Sequence, residues 1–219
     1  MAPVIYLVRH AESAHNVSKD FSHRDPPLTP LGQKQASALT SSFPGHETIA
    51  VVLASPLTRT LETTLAAFGP SLGKEFVGEL GITGGARLVL DPDLQERSAE
   101  PCDTGSDRAA LEKVFPNLDF SVLGEGWYAK EGRYTADDTA VSARAEAVRQ
   151  KLFDLVKELE ESGSGDRQNL VVVTHGVFMK FLSGDKTIDL PKAGWRAYTV
   201  AKAYTVAKED GKAILRPTE

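Results

Sequence analysis

Three short runs of apolar, mostly β-branched residues recur along the chain, separated by segments of helical character. They are Val4–Val8, Ile49–Ala54 and Leu170–Val173, and Arg87–Leu90 is a shorter run of the same kind. Their apolar residues are consecutive rather than alternating, which is typical of strands buried on both faces of a sheet. Buried strands that alternate with helices predict an α/β fold. We therefore expect a three-layer α/β/α sandwich with a mainly parallel central sheet.

Helix signals fill the segments between these runs. A Thr-Pro pair at 29–30 and a Ser-Pro pair at 55–56 each place proline where a helix begins, and the second predicted helix extends to Gly69. Apolar residues at a spacing of three or four predict a long amphipathic helix over Ala145–Leu159. The Ser-Gly-Ser-Gly segment at 162–165 is expected to end that helix.

The segment from about 91 to 138 departs from the alternation. It is rich in Gly, Pro, Asp and Ser and contains one short helical candidate, Asp107–Phe115. We interpret it as an insertion that shapes a pocket beside the sheet, within a single domain over residues 1–219. Near the end, a tandem hexapeptide AYTVAK at 197–208 predicts a strand, followed by a turn at 209–212 into a last strand.

Composition excludes several classes of protein. With 25 basic and 30 acidic residues and no basic stripe, the chain is not expected to bind nucleic acid. No apolar run approaches the ~18 residues of a membrane span, so no membrane association is expected. A single cysteine excludes an internal disulfide. The N-terminal apolar run is too short and wrongly flanked for a signal peptide, so we expect a cytoplasmic protein, with the nucleus also open.

Polar residues follow the four apolar runs at the points where each predicted strand ends. In chain order these residues are Arg9 and His10, Ser55 and Arg59, Glu96, and Thr174 and His175. Ligands of open α/β sheets bind beyond the carboxyl ends of the strands. We therefore expect two histidines, two arginines and a carboxylate to converge at one edge.

This combination of residues suits a phosphate or another compact oxyanion. Arginine holds such oxygens with two parallel hydrogen bonds. Arg59 lies in the first turn of its predicted helix, where free backbone N–H groups also favour an anion. Ser13 and Asn16 are candidate neutral donors, and Glu96 is a candidate acid or base.

Other kinds of site fit the sequence less well. A metal site is disfavoured because two arginines flank the histidines and no carboxylate cluster accompanies them. No serine lies in a Gly-x-Ser-x-Gly elbow, and Cys102 lacks the Cys-x5-Arg spacing of a phosphate-binding thiol, so we expect it in the core or pocket wall. His23 and His46 are expected in surface loops, whereas His15, beside Asn16, is a further pocket candidate.

Four sequence blocks occur in a characteristic order: LVRHAESAHN at 7–16, LTPLGQKQA at 28–36, ASPLTRTLET at 54–63 and VTHG at 173–176. Together they resemble the histidine phosphatase superfamily, also called the phosphoglycerate mutase-like family. A further segment, LQERSAEPCDTGS at 94–106, more narrowly resembles a fungal phosphomutase-homologue branch. That resemblance implies a fungal source and a phosphatase of poorly defined substrate.

The resemblance implies a role for each candidate residue. His10 would be the nucleophile that forms a phosphohistidine, and Glu96 would protonate the leaving oxygen and then activate water. His175 would act with them as a catalytic residue. The phosphate-binding residues implied are Arg9, Asn16, Arg59, His175, Ser13 and Gly176. No metal and no other cofactor is implied.

Glu96 is chosen as the acid because it stands at the family's Leu-x-Glu position. The nearby carboxylates remain alternatives: Asp91, Asp93, Glu100 and Asp103.

A phosphatase is favoured over a mutase, which would need extra cations for a substrate carboxylate. The predicted insertion has no adjacent basic pair among its cations Arg97, Arg108, Lys113, Lys130 and Arg133. Its aromatic residues indicate a less polar substrate: Phe115, Phe120, Trp127 and Tyr128. We expect a phosphatase for a small phosphorylated metabolite. The alternatives are a phosphoglycerate mutase-type phosphotransferase, or a repurposed or non-catalytic phosphate-binding pocket.

Overall fold

The computed structural model describes residues 3–163, 165–203 and 212–218. Six strands lie in these ranges: β1 Ile5–Arg9, β2 Ile49–Ala54, β3 Arg87–Leu90, β4 Asn169–Thr174, β5 Trp195–Ala203 and β6 Lys212–Pro217. They form one sheet in the order β3-β2-β4-β1-β5-β6. The first four strands of that order are parallel, and β5 and β6 are antiparallel to their neighbours. The predicted α/β fold with a mainly parallel sheet is confirmed.

Helices cover both faces of the sheet. The described residues contain α1 Ala14–Ser18, α2 Pro30–Ser42, α3 Thr58–Phe68, α4 Lys74–Val77, α5 Arg108–Val114, α6 Asp138–Ser162 and α7 Gly176–Ser183. Successive strand residues point to opposite faces, so Val8 packs in one core with α2 and α3, and Leu7 in a second core with α6 and α7. These two cores give the three layers. None of these helices has the length and apolar character needed to cross a membrane.

The start of α3 differs from the sequence prediction. The Ser-Pro pair at 55–56 was expected to begin this helix, but α3 begins at Thr58. Its cap comes from a distant loop, because Asp25 accepts hydrogen bonds from the backbone N–H and the hydroxyl of Thr58, both at 2.9 Å. The hydroxyl of Ser55 is instead bonded to His175. The predicted start of α2 is correct, since Thr29 accepts from Gly32 N at 3.0 Å.

The second sequence block supports the loop that follows β1. A Cβ at Gly32 would lie 1.9 Å from the carbonyl oxygen of Glu12, so only glycine lets α2 approach so closely. Thr29 donates its backbone N–H to that same carbonyl at 3.0 Å and its hydroxyl to the Glu12 carboxylate at 2.6 Å. These contacts fix the backbone two residues after His10.

Residues between β3 and α6 form α5 and several short 3-10 turns. The aromatic residues that indicated a less polar substrate do not line the cavity that contains His10: Phe115, Phe120 and Trp127 are buried in the core shared with α2 and α3, and Tyr128 packs against it. Hydrophobic burial, rather than substrate contact, explains them. That 91–138 is an insertion within one domain stays a prediction. The first hexapeptide copy lies in β5, and most of the second copy and the predicted turn lie outside the described residues.

Candidate active site

The two histidines of the first and fourth blocks meet because their strands are neighbours. Arg9 pairs with Thr174 at the carboxyl ends of β1 and β4, so the next residues, His10 and His175, lie side by side. Their ring centroids are 5.2 Å apart, and both side chains are buried. This parallel pairing brings together residues that are far apart in sequence.

The hydrogen bonds of His10 fix its tautomer. Nδ1 lies 2.7 Å from the carbonyl oxygen of Ala11, which only accepts, so Nδ1 carries the proton. Nε2 is therefore unprotonated, and its lone pair accepts a hydrogen bond from Nε of Arg59 at 3.3 Å. Burial, followed by the charges of Arg59 and Lys192, holds the pKa of His10 well below its usual range. His10 is a neutral imidazole with Nε2 facing the cations.

The hydrogen bonds of His175 place its proton on Nε2, the opposite ring nitrogen to that of His10. Its Nδ1 accepts from Nη2 of Arg59 at 3.0 Å, and its Nε2 donates to the hydroxyl of Ser55 at 2.9 Å. Burial and then the charge of Arg59 hold its pKa well below the usual range for histidine. Ser55, which follows β2, therefore orients a histidine that follows β4.

Arg59 connects the parts of the site. Its side chain is 1% exposed, and besides the two histidines it donates to the carbonyl oxygen of Cys102 and to the carboxylate of Asp103, both at 2.7 Å. The hydroxyl of Ser98 holds the other oxygen of Asp103 at 2.6 Å. Four of the five guanidinium N–H groups are thus committed to protein acceptors.

The guanidinium of Arg9 makes fewer hydrogen bonds to the protein than that of Arg59. Its Nη1 donates to Asp189 and to the carbonyl of Leu190, whereas its Nε is buried and has no hydrogen-bond partner among the residues that the structure describes. A Cβ at Gly176 would lie 3.0 Å from this guanidinium, so a larger residue would crowd it. The Nε and Nη2 edge of Arg9 is therefore available for an oxyanion.

Glu96 lies in the loop after β3, with its carboxylate against the N-terminus of α7. Its carboxylate accepts backbone N–H bonds from Arg97 and Phe178 at 2.8 Å and from Val177 at 3.0 Å. The free N–H groups at a helix N-terminus stabilise negative charge. Glu96 is 8% exposed and lines the same cavity as His10.

A buried arginine holds the loop that carries Glu96. Arg144 in α6 donates from Nη1 to the carbonyl oxygens of Asp93 at 2.8 Å and Gln95 at 3.0 Å. Its guanidinium lies 4.9 Å from the centre of the Phe178 ring, and the N–H of Phe178 bonds Glu96. Arg144 thus contacts both the loop that carries Glu96 and Phe178, a residue whose N–H binds the Glu96 carboxylate.

Ser13, His15 and Asn16 form a closed ring of hydrogen bonds. His15 donates from Nδ1 to the Ser13 hydroxyl at 3.0 Å, Ser13 donates to Oδ1 of Asn16 at 3.1 Å, and Asn16 donates to Nε2 of His15 at 2.9 Å. Burial and then the charge of Arg59 lower the pKa of His15 to about 4. Ser13 is fully buried behind the ring, so its hydroxyl does not face the cavity as expected of a phosphate ligand.

One cavity of about 410 Å³ collects these groups. Six of the residues predicted for the site line it: Arg9, His10, Asn16, Arg59, Glu96 and Gly176. His175 lies beneath it, fully buried. His15 and Cys102 also line it, as the sequence allowed. Lys180 and Lys192 line it too, although no sequence motif marks either residue.

The outlying histidines differ from each other. His23 is exposed, as predicted. The surface-loop prediction for His46 is wrong, because its ring is half-buried and bonds Ser71 Oγ at 2.9 Å and the carbonyl oxygen of Leu39 at 3.0 Å. His46 has a structural role away from the cavity.

The residues at the cavity do not fit a cation. Among the described residues, one trio brings metal-ligand atoms within 4.8 Å of one another: His15, Cys102 and Asp103. Asp103 is ion-paired with Arg59 at 2.7 Å, and burial raises the pKa of the Cys102 thiol to about 11. Both ring nitrogens of His15 are engaged in the hydrogen-bonded ring. An adjacent guanidinium and a protonated thiol disfavour a bound metal.

The fold and the site define an α/β protein with a cationic pocket built around two neutral histidines. Residues 5–209 match the family described as "Histidine phosphatase superfamily (branch 1)". The chain belongs to this superfamily, and the enzyme class expected from the sequence, a histidine phosphatase, is confirmed.

Two relatives and one solved structure illustrate the match. A Schizosaccharomyces pombe protein named "Probable phosphatase" is 31% identical over 198 residues, 86% of this chain and 83% of the relative. "Phosphoglycerate mutase-like protein 1" of Arabidopsis thaliana is 27% identical over 202 residues, 80% of this chain and 68% of the relative. The structure of a mycobacterial glucosyl-3-phosphoglycerate phosphatase with VO3 has a TM-score of 0.55 at 20% identity, covering 98% of this chain and 97% of that one. The yeast relative partly supports the resemblance to a fungal branch.

Proposed function

We propose that this protein is a metal-independent phosphatase that hydrolyses the phosphomonoester of a small metabolite through a phosphohistidine at His10. The observation that carries the proposal is the tautomer of His10. Its Nδ1 proton is held by the Ala11 carbonyl at 2.7 Å, and its unprotonated Nε2 accepts a hydrogen bond from Arg59 at 3.3 Å. A neutral, oriented imidazole in a cationic pocket is a nucleophile prepared for a phosphoryl group.

In the first step, Nε2 of His10 attacks phosphorus in line with the ester oxygen. The P–O bond breaks as the N–P bond forms, and the leaving oxygen takes a proton from the carboxyl group of Glu96. The products of this step are an alcohol, the phosphohistidine and the Glu96 carboxylate. The Nδ1–H bond to Ala11 supports the positive charge that develops on the ring.

In the second step, water replaces the imidazole at phosphorus. The Glu96 carboxylate takes a proton from the water as its oxygen attacks, and the N–P bond breaks. This returns neutral His10 and protonated Glu96 and releases inorganic phosphate. Its three backbone N–H bonds hold the Glu96 carboxylate in a fixed orientation at the cavity.

Positive charge around the phosphate supplies the stabilisation that a metal supplies in other phosphatases. Phosphoryl transfer depends mainly on positioning and on neutralising the equatorial oxygens. The free edge of Arg9, the remaining N–H of Arg59 and the amide of Asn16 are the groups we propose for those oxygens, with His175 beneath them and Gly176 leaving room for Arg9.

A phosphotransferase of the mutase type is the second candidate. The name of the Arabidopsis relative favours it. So do Lys180 and Lys192, since cations at the cavity could bind a substrate carboxylate. A mutase retains its phosphoryl group until a second substrate takes it, whereas a phosphatase releases inorganic phosphate to water.

Phosphate release from a panel of phosphorylated metabolites and nitrophenyl phosphate distinguishes these candidates. We expect release without any bisphosphate primer and with full activity after exhaustive chelation, and we expect competitive inhibition by vanadate. Isomerisation of a phosphoglycerate that depends on a bisphosphate primer would support the mutase. Loss of activity on chelation, restored by Mg²⁺ or Zn²⁺, would contradict metal independence, and vanadate binding without any turnover would indicate a non-catalytic pocket.

A further inference from the structure

The cationic side chains of the active-site cavity differ in whether they are already paired with a carboxylate. Both arginines are already paired with carboxylates, Arg9 with Asp189 at 3.0 Å and Arg59 with Asp103 at 2.7 Å. Part of their positive charge is therefore balanced before any phosphate arrives. A phosphate dianion needs further positive charge in the same cavity.

Lys192 can supply this positive charge, because its ammonium is not paired with a carboxylate among the described residues. It lines the cavity with Arg9 and Arg59, and its ammonium makes no hydrogen bond or ion pair to any residue that the structure describes. Its charge is felt at the centre of the site, where it helps to lower the pKa of His10 and of His175. Burial, then Arg9 and Arg59, lower the pKa of Lys192 itself to about 8. A half-buried ammonium without a partner is costly, and an anion bound beside it would offset that cost.

The backbone around Lys192 is fixed against β1. Arg9 donates its backbone N–H to the carbonyl of Gly194 at 2.9 Å, and Ala193 donates to the carbonyl of His10 at 3.4 Å. Ala193 has a φ of 58°, the left-handed region, which is unfavourable for a residue with a Cβ. The loop after α7 therefore runs alongside the backbone of Arg9 and His10. Lys192 is the residue directly before this contact.

We infer that Lys192 binds the oxygens of the transferring phosphoryl group, as a third cation beside Arg9 and Arg59. This inference rests on the proposed phosphatase function and extends its phosphate site. Lys180 lines the same cavity from α7, whereas Lys192 lies directly before the two residues whose backbone bonds to Arg9 and His10. We therefore assign the phosphoryl contact to Lys192 alone.

The test compares Lys192→Met, Lys192→Arg and the wild type, with Lys186→Met as the matched control from an exposed position in the same loop. The probes are orthovanadate and inorganic phosphate, which have no leaving group. We expect the inhibition constants of both probes to rise roughly 10- to 100-fold in Lys192→Met, the range for loss of a charge-assisted hydrogen bond. Lys192→Arg should recover most of this loss, and Lys186→Met should match the wild type.

Thermal unfolding separates phosphate binding from a structural role. The ammonium makes no hydrogen bond or ion pair among the described residues, and repulsion by Arg9 and by Arg59 each exceeds the attraction of Glu96. Lys192→Met should therefore unfold at the same temperature as the wild type or higher when no anion is present. Its stabilisation by vanadate should be smaller. A structural lysine would instead lower the melting temperature when removed and leave the vanadate-induced shift unchanged.

Three outcomes overturn the inference. Unchanged inhibition constants in Lys192→Met would show that the side chain does not contact the phosphoryl group. An effect only on the KM of a carboxylate-bearing substrate such as phosphoserine would assign Lys192 to the leaving group. A lower melting temperature with an unchanged vanadate shift would assign it to structure. If the wild type binds vanadate but hydrolyses nothing, the proposed function fails while this binding test still stands.

Discussion

The backbone N–H of Phe178 lies 2.8 Å from Oε1 of Glu96 and joins this carboxylate to the first turn of α7. Because α7 begins directly after His175, the same strand end that positions this histidine also positions the candidate acid. In the proposed mechanism, one short helix therefore links proton transfer to phosphate binding.

Glu96→Gln should slow the enzyme in a way that depends on the leaving group. An alkyl alkoxide needs a proton, whereas nitrophenolate leaves without one, and positioned proton transfer is worth about 10²–10⁴-fold. Phosphoenzyme formation from an alkyl phosphate should therefore fall far more than from nitrophenyl phosphate. Hydrolysis of the phosphoenzyme should also slow, so nitrophenol should appear as a burst followed by slow turnover in stopped-flow measurements.

The controls are two of the three other carboxylates that line the cavity, tested as Glu100→Gln and Asp103→Asn. Neither should produce a burst. Equal loss on both substrates without a burst in Glu96→Gln would show that Glu96 is not the acid. A burst in Asp103→Asn would then transfer the role to Asp103.

Arg144→Met should reproduce part of the Glu96 effect from a distance. The Nη1 of Arg144 holds the carbonyls of Asp93 and Gln95, so its loss should loosen the Glu96 loop. We expect kcat for an alkyl phosphate to fall about tenfold or more, with a smaller effect on nitrophenyl phosphate.

Arg149→Met is the matched control for that variant. Arg149 lies on the same helix and also donates to backbone carbonyls, those of Phe181 and Ala213, but none of them belongs to the Glu96 loop. A general loss of packing would lower activity equally in both variants and on both substrates. That result would exclude a positioning role for Arg144.

Stability should fall on mild acidification. In the folded protein the pKa of His10, His15 and His175 is lowered, for His15 to about 4, from the ordinary value of 6.5. The unfolded chain therefore binds more protons below pH 6.5, so this contribution is complete above that pH and is lost as pH falls toward the folded values. Each group contributes ~1.4 kcal/mol per pH unit, and each kcal/mol is roughly 2–4 °C in melting temperature for a chain of this size.

Melting curves between pH 7.5 and 5 in phosphate-free buffer measure this effect, in a range above the titration of ordinary carboxylates. The slope should be smaller in His15→Asn, which retains a donor toward Ser13 but does not titrate. A melting temperature that stays level over this range would contradict the neutral histidines on which the proposed nucleophile depends.

The convergence of the site could be predicted because it follows from sheet topology. Consecutive apolar runs identify parallel strands, and parallel neighbours end at one edge, so His10, Arg59, Glu96 and His175 had to approach one another. The helix start at Thr58 could not be predicted, because its cap is Asp25, a residue 33 positions earlier in the chain.

Three other features depend on tertiary packing alone. Lys192 stands in a Pro-Lys-Ala loop with no motif, and the backbone bonds from Arg9 to Gly194 and from Ala193 to His10 bring it to the cavity. Trp127 and Phe120 suggested an apolar pocket by composition, yet they fill the core, since composition does not indicate which face a loop aromatic covers. Ser13 was selected for its position in a motif, but its hydroxyl bonds Asn16.

The central claim is that His10 carries the phosphoryl group, and a rapidly quenched reaction with ³²P-labelled substrate tests it most directly. The wild type and the exposed-histidine control His23→Ala should both retain label that is acid-labile and comparatively alkali-stable, located on the peptide that contains His10. His10→Ala should fold, form no labelled enzyme and lose turnover. Acid-stable label, or substantial turnover in His10→Ala, would contradict the account.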